Sequence, residues 1–105
     1  MSQQYRQGDV LLCAIDRIPS RAVRVPREEN RVVVARGELS GHAHAFVKRA
    51  RLLREKHGRR AFLVIGAGGA ELMHEEHDPI LVPAGRYELL RQREYDPLVP
   101  RYVRD

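Results

Sequence analysis

The apolar residues of this chain occur only in short clusters, and this pattern restricts the fold more than any other feature. The clusters are rich in Val, Ile, Leu and Tyr and are separated by Gly, Pro or charged residues. Such short runs are typical of strands, whereas an amphipathic helix needs a longer repeat at a spacing of three or four residues. The pattern predicts nine strands, at 8 to 15, 31 to 36, 42 to 47, 50 to 54, 60 to 65, 69 to 74, 79 to 83, 86 to 93 and 99 to 103.

Glycine and proline indicate how these strands are connected. In VPAGRYELL, Pro83 suits a type I turn and Gly85 suits the left-handed position of a bulged hairpin. GAGGA, residues 66 to 70, favours a second hairpin loop. A phosphate-binding loop is the alternative, but it requires a following helix, which Pro79 would interrupt. The charged segment 18 to 30, with two prolines, is predicted to be an exposed connection.

The length of the chain limits it to one modest core. It has 105 residues, of which 43% are hydrophobic, with four tyrosines and two phenylalanines as the aromatic residues. No repeat or linker divides it. We therefore expect a single β-rich domain over residues 1 to 105, an all-β small barrel or sandwich, with one short helical turn around 74 to 78.

Cysteine usage and the start of the chain bear on its compartment. Cys13 is the single cysteine, so an intramolecular disulfide framework and a thiolate zinc cluster are both excluded. The opening MSQQYRQGDV lacks a charged leader with an apolar core, and no apolar run approaches the length of a membrane span. These features predict a cytoplasmic protein.

The stretch GELSGHAHAF places two histidines one residue apart on a predicted strand. Side chains two positions apart on a strand point to the same face, with Cα atoms about 6.5 Å apart. His42 and His44 can therefore converge on one metal ion. Gly41 would allow a close turn of the chain, and Ser40 could hydrogen-bond to a ligating imidazole.

A second histidine pair occurs thirty residues later, in HEEHDP. His74 and His77 are three positions apart, a spacing that brings side chains together on a helical turn. Glu75 and Glu76, between them, could act as ligands, as hydrogen-bond partners of ligands or as a general base. The zincin helix signature is different, because it has two residues after His-Glu and continues as a helix.

Four of the five histidines thus fall into two pairs, and His57 is the fifth. If the strand register brings the pairs together, they offer three or four nitrogen ligands. Imidazole ligands suit a divalent transition metal such as Zn, Ni, Fe or Mn. The predicted metal ligands are His42, His44, His74 and His77.

Taken together, QGDVLL, GELSGHAHAF, HEEHDPILVPAGRYELLRQREYDP and the tail RYVRD resemble a family of small, largely uncharacterised bacterial and phage proteins. The chain is also loosely similar to cupins, β-barrels that hold a metal with a His-x-His pair, a Glu and a later His behind a Pro-x-Gly turn. His42 and His44 correspond to the first element, and the turn at 83 to 85 to the last. The second histidine pair here precedes that turn, so the similarity implies an architecture only.

Three functions are compatible with these patterns. In the first, a metal-binding barrel hydrolyses an anionic ester or phosphodiester, with Glu75 or Glu76 as base. In the second, the histidines act without metal as acid and base on RNA. The third is a non-enzymatic basic module that binds nucleic acid or a protein.

The charge of the chain permits nucleic acid or another polyanion as a partner, although arginines scattered among acids are also typical of an ordinary solvated surface. Lys and Arg number 19 against 14 Asp and Glu, a net charge of +5. Arg86, Arg91 and Arg93 are the candidates for stabilising the phosphate of a substrate. Because small β-domains with exposed edges often pair, a homodimer is a further expectation.

Overall fold

The computed structural model describes residues 3 to 37 and 41 to 91, and it is built from antiparallel strands. The all-β prediction is confirmed. The strands are β1 (Gln4–Gln7), β2 (Val10–Ala14), β3 (Ala22–Arg24), β4 (Val32–Arg36), β5 (Ala43–Phe46), β6 (Ala50–Glu55), β7 (Ala61–Ile65), β8 (Ala70–Leu72), β9 (Ile80–Val82) and β10 (Gly85–Arg91).

Six strands form the main sheet, in the order β1-β2-β10-β7-β6-β3. Its long central strand, β10, pairs with β2 on one side and with β7 on the other. Alternation along β7 assigns the two faces, because Ala61, Leu63 and Ile65 enter the core while Phe62 and Val64 point to the opposite face.

The remaining strands form two hairpins, β4-β5 and β8-β9, which lie over the core face of the main sheet. Ala45 and Met73 join the hairpins by two reciprocal backbone hydrogen bonds of 3.0 and 2.9 Å. Phe46, Leu72 and Val82 from the hairpins pack with Leu12 and Leu63 of the main sheet in one hydrophobic cluster. Two layers therefore enclose the core.

The sheets do not close into a barrel, so the barrel prediction is wrong. In the described residues, β1 and β3 remain the two edges of the main sheet. The predicted helical turn at 74 to 78 is wrong as well, because residues 75 to 77 form bends and the two flanking residues have no regular secondary structure. No helix in the described part of the chain is long and apolar enough to cross a membrane.

Both predicted glycine hairpins are also wrong, although turns occur at both places. The GAGGA turn leads from β7 in the main sheet to β8 in a hairpin, and the Pro83-Ala84 turn leads back from β9 to β10. Each turn therefore joins strands of two different sheets. The strand β3 was also missed, since segment 18 to 30 pairs briefly with β6.

Strand β1 was missed too, although a signal for it exists. Gln7 pairs with Val10 across a two-residue loop, and Gly8 at φ 59° takes its first position. A Gly-Asp pair between two extended runs is a standard hairpin signal. The predicted strand at 99 to 103 lies outside the described residues.

We predict that Gly69→Ala destabilises the fold more than Gly68→Ala. Both glycines have positive φ values, 77° and 91°, so both substitutions carry the left-handed penalty of about 1–2 kcal/mol. A Cβ on Gly69 would also lie 2.9 Å from the carbonyl oxygen of Val82, whereas the nearest atom at Gly68 is 3.8 Å away, on the Arg49 side chain. Urea unfolding should show a further loss of about 1 kcal/mol or more for Gly69→Ala. Equal free energies of unfolding would contradict this packing argument.

Candidate metal centre

Three segments meet at one end of the two layers and bring the histidine pairs together. His42 immediately precedes β5, and His44 lies within it. The bridge between Ala45 and Met73 places the segment after β8, which carries His74 and His77, beside β5. The loop between β1 and β2 approaches the same end of the layers.

Ring distances show that the four imidazoles form one cluster, here called the histidine cluster (His42, His44, His74 and His77). The ring centroid of His74 lies 4.2 Å from that of His44, 4.7 Å from that of His77 and 5.7 Å from that of His42. The rings of His44 and His77 are 5.9 Å apart. The structure therefore brings together two pairs that are separated by thirty residues of sequence.

His44 is the buried member of the cluster, and its tautomer is determined by Gln7. The amide nitrogen of Gln7 donates to the carbonyl oxygens of Leu72 and Asp78, both at 2.9 Å. These contacts orient the amide, so its oxygen faces Nδ1 of His44 at 2.9 Å. Because that oxygen only accepts, Nδ1 of His44 donates, and Nε2 of the neutral ring carries the lone pair.

Burial and the neighbouring His74 lower the pKa of His44 to about 4, against the opposing attraction of Asp9. The imidazole, 4% exposed, is thus neutral at physiological pH. A neutral ring with one nitrogen hydrogen-bonded to a protein acceptor is the usual state of a metal-ligating histidine.

Asp9 faces the lone pair of His44. Its Oδ1 lies 3.5 Å from Nε2 of His44, while its Oδ2 accepts hydrogen bonds of 3.1 and 2.8 Å from Nε and Nη2 of Arg91. Burial opposes ionisation of Asp9, but the hydrogen bonds and charge of Arg91 outweigh it and lower the pKa of the carboxyl. Asp9 is therefore a carboxylate, and Arg91 orients it.

The exposed side of the cluster carries the two predicted glutamates. Oε1 of Glu75 accepts a 2.9 Å hydrogen bond from the backbone N–H of Ala43, which lowers the pKa of this carboxyl. Donor atoms of His42, His74 and Glu75 all lie within 4.8 Å of one another. Oε1 of Glu76, whose side chain is 70% exposed, lies 3.5 Å from Nδ1 of His42.

His74 and His77 differ in how they are held. Nδ1 of His74 accepts a 3.0 Å hydrogen bond from the backbone N–H of Glu76, so its neutral ring carries the proton on Nε2. His77 approaches Gly8 so closely that a Cβ there would lie 2.7 Å from its Nε2. The absence of a side chain at Gly8 thus makes room for His77.

The structure separates the predicted substrate arginines. Arg91 is engaged with Asp9, whereas Arg86 lies five positions earlier on β10 and on the opposite face. Arg93 and Ser40 lie outside the described residues. Sequence reasoning missed Gln7 and Asp9, which flank Gly8 in the hairpin loop; recognising the Gly-Asp turn would have placed both at a strand end.

We predict that Gln7→Leu destabilises the protein and removes the preference of the His44 ring for the tautomer with its proton on Nδ1. The change leaves two buried carbonyls and one imidazole N–H without this partner, at a cost of about 1–3 kcal/mol for each group that water cannot reach. Gln4→Leu, on the exposed part of the same strand, is the matched control and should change stability by less than about 0.5 kcal/mol. Urea unfolding and the ¹⁵N shifts of the His44 ring test both effects. An unchanged Nδ1–H tautomer in the Gln7 variant would show that Gln7 does not set it.

The comparisons with known proteins give a family. The model of a family described as Domain of unknown function (DUF8820) matches residues 6 to 92, a span that includes both histidine pairs, Gln7 and Asp9. No match was found among curated proteins or among solved structures. Since the matched span is most of the chain, the protein belongs to the DUF8820 domain family.

Proposed function

We propose that this domain binds one divalent transition metal ion at the histidine cluster. The proposal is based mainly on the distance of 3.5 Å between Nε2 of His44 and Oδ1 of Asp9. Gln7 holds the proton of the neutral ring on Nδ1, so no proton lies between Nε2 and the carboxylate. Two acceptors that face each other repel, and a bound cation removes that repulsion.

The separation of these two atoms suits coordination. Ligand atoms about 2.1 Å from a tetrahedral zinc ion lie about 3.4 Å apart. Each proposed ligand also makes a hydrogen bond through its other polar atom. His44 is hydrogen-bonded to the amide of Gln7, and Asp9 to the guanidinium of Arg91. Such supporting hydrogen bonds orient metal ligands in proteins.

Further ligands are available from the rest of the cluster. In the described part of the chain, the ring of His77 forms no hydrogen bond or ion pair, so its nitrogens are available. His42, His74 and Glu75 form a second group of converging donors. A nitrogen-rich set of this kind suits Zn, Ni, Fe or Mn, and His74 joins it by turning its ring away from the N–H of Glu76.

We predict about one equivalent of bound metal per chain after incubation with Zn, Ni, Mn or Fe(II), measured by elemental analysis of tag-free protein. The His42→Ala, His44→Ala double variant should lose the ion, because it removes one ligand of the His44–Asp9 pair and one of the second group. His57→Ala is the matched control, since His57 is exposed and lies outside the histidine cluster. Urea unfolding shows whether each variant is folded. Stoichiometric metal in the folded double variant, or none in the wild type, would refute the proposal.

A metal-dependent hydrolase is the activity that we propose for this site. A bound divalent ion lowers the pKa of its water toward neutrality and so supplies a nucleophile. A cavity of about 260 Å³ opens beside His74 and Glu75, and Arg31 lines it. Arg31 would hold the anionic part of an ester or phosphodiester, and the exposed carboxylate of Glu76 would serve as the base.

We predict that the metal-loaded protein hydrolyses bis(4-nitrophenyl) phosphate and that a chelator abolishes the activity. Glu76→Gln should lower kcat by about 100-fold, the usual contribution of a general base. Glu71→Gln is the control, because Glu71 is exposed on β8 outside the cluster. Activity on RNA that survives chelation would instead support metal-free acid–base catalysis by the histidines.

A further inference from the structure

A second concave surface lies on the main sheet, on the face that points away from the core. It encloses about 570 Å³ and is lined by Asp16, Arg17, Ile18, Arg24, Arg51, Leu53, Val64 and Arg86. We call it the arginine groove. The segment after β2 forms one wall, and strands β3, β6, β7 and β10 form the floor.

The strand register places three of the arginines on one face. Arg51 of β6 and Arg86 of β10 are both paired with Val64, from opposite sides of β7. Arg24 of β3 is paired with Leu53, two positions beyond Arg51 on the same strand. Residues two apart on a strand share a face, so these guanidinium groups project from one side of the sheet.

These arginines lack the carboxylate partners that other arginines of the protein have. Arg36 pairs with Glu28, Arg60 with Glu88 and Arg91 with Asp9. Within the described residues no ion pair or side-chain hydrogen bond is formed by Arg17, Arg24 or Arg51, and Arg86 donates to a backbone carbonyl, that of Asp16. Four guanidinium groups thus share the groove with one carboxylate.

The apolar lining indicates the size and kind of the ligand. Ile18, Leu53 and Val64 contribute apolar surface between the charges. Among the residues that the structure describes, no aromatic side chain lines the groove, and these residues therefore offer no stacking platform of the kind that single-stranded nucleic acid uses. A volume of this size is that of a small-molecule site. Guanidinium groups bind phosphate oxygens in pairs and also stack on flat rings.

We propose that the arginine groove binds a small organic phosphate of nucleotide size, with the phosphates on the guanidinium groups and the organic part on the apolar surface. This site is independent of the proposed metal centre. Arg86 and Arg91 are five positions apart on β10, about 17 Å along the strand, and they point to opposite faces. Arg91 contacts Asp9 of the proposed metal centre, whereas Arg86 donates to the backbone carbonyl of Asp16.

Calorimetric titration of the full chain with ATP, in buffer that contains EDTA, tests the proposal. We expect saturable binding of ATP to the wild type. The double variant Arg24→Gln, Arg51→Gln should lose about 100-fold in ATP affinity, because the loss of each guanidinium weakens binding by about tenfold. The double variant Lys48→Gln, Lys56→Gln is the control, because it removes the same amount of positive charge from outside the groove. It should change the ATP affinity by less than about threefold. Tripolyphosphate, which lacks the organic part, should bind more weakly than ATP.

Two further measurements distinguish binding in the arginine groove from binding at the metal centre. The His42→Ala, His44→Ala variant should bind ATP like the wild type, whether or not the wild type binds metal. In NMR spectra, ATP should shift the amide signals of Arg51 and Val64 and leave that of His44 in place. Absence of ATP binding, equal losses in the lysine control, or binding of a single-stranded oligonucleotide in place of ATP would each overturn the proposal.

Discussion

The buried amide of Gln7 is the interaction on which the candidate site depends most. It joins the last residue of β1 to the end of β8, to the segment before β9 and to the imidazole of His44. These groups come from both layers of the fold. A buried amide is tolerated only where its donors and acceptor are satisfied, and here each contact also orients a part of the site. The packing of the layers and the tautomer of His44 therefore depend on the same side chain.

Asp9 links this arrangement to the main sheet. It is held by Arg91 at the end of β10, so the carboxylate that faces His44 is positioned by the central strand of the larger layer. The ligands proposed for the metal thus come from paired strands and their tight turns on one side, and from the exposed segment with Glu75 and Glu76 on the other. A buried half and an exposed half suit a site that holds an ion and admits a substrate.

The distribution of arginine shows why a net charge alone is a poor guide to function. Arg91 supports the candidate metal centre as the partner of Asp9, whereas Arg86 belongs to the arginine groove on the other face of the sheet. In the sequence they lie five residues apart and look equivalent. Alternation along β10 separates them, and the pairing of β7 with β10 and with β6 places Arg86 and Arg51 on either side of Val64.

The sequence by itself determined the all-β class, the position of most strands and the existence of two histidine pairs, because these follow from local patterns of burial and spacing. It did not determine which strands pair. The turns at GAGGA and at Pro83 are recognisable from Gly and Pro. The strands that flank each turn nevertheless belong to different sheets, because long-range packing determines which strands pair. For the same reason only the tertiary structure decided that His44 meets His74, and that Gln7 and Asp9 complete the site. Contacts between residues thirty or more positions apart depend on how the two layers enclose one core, and no local pattern of residues encodes that.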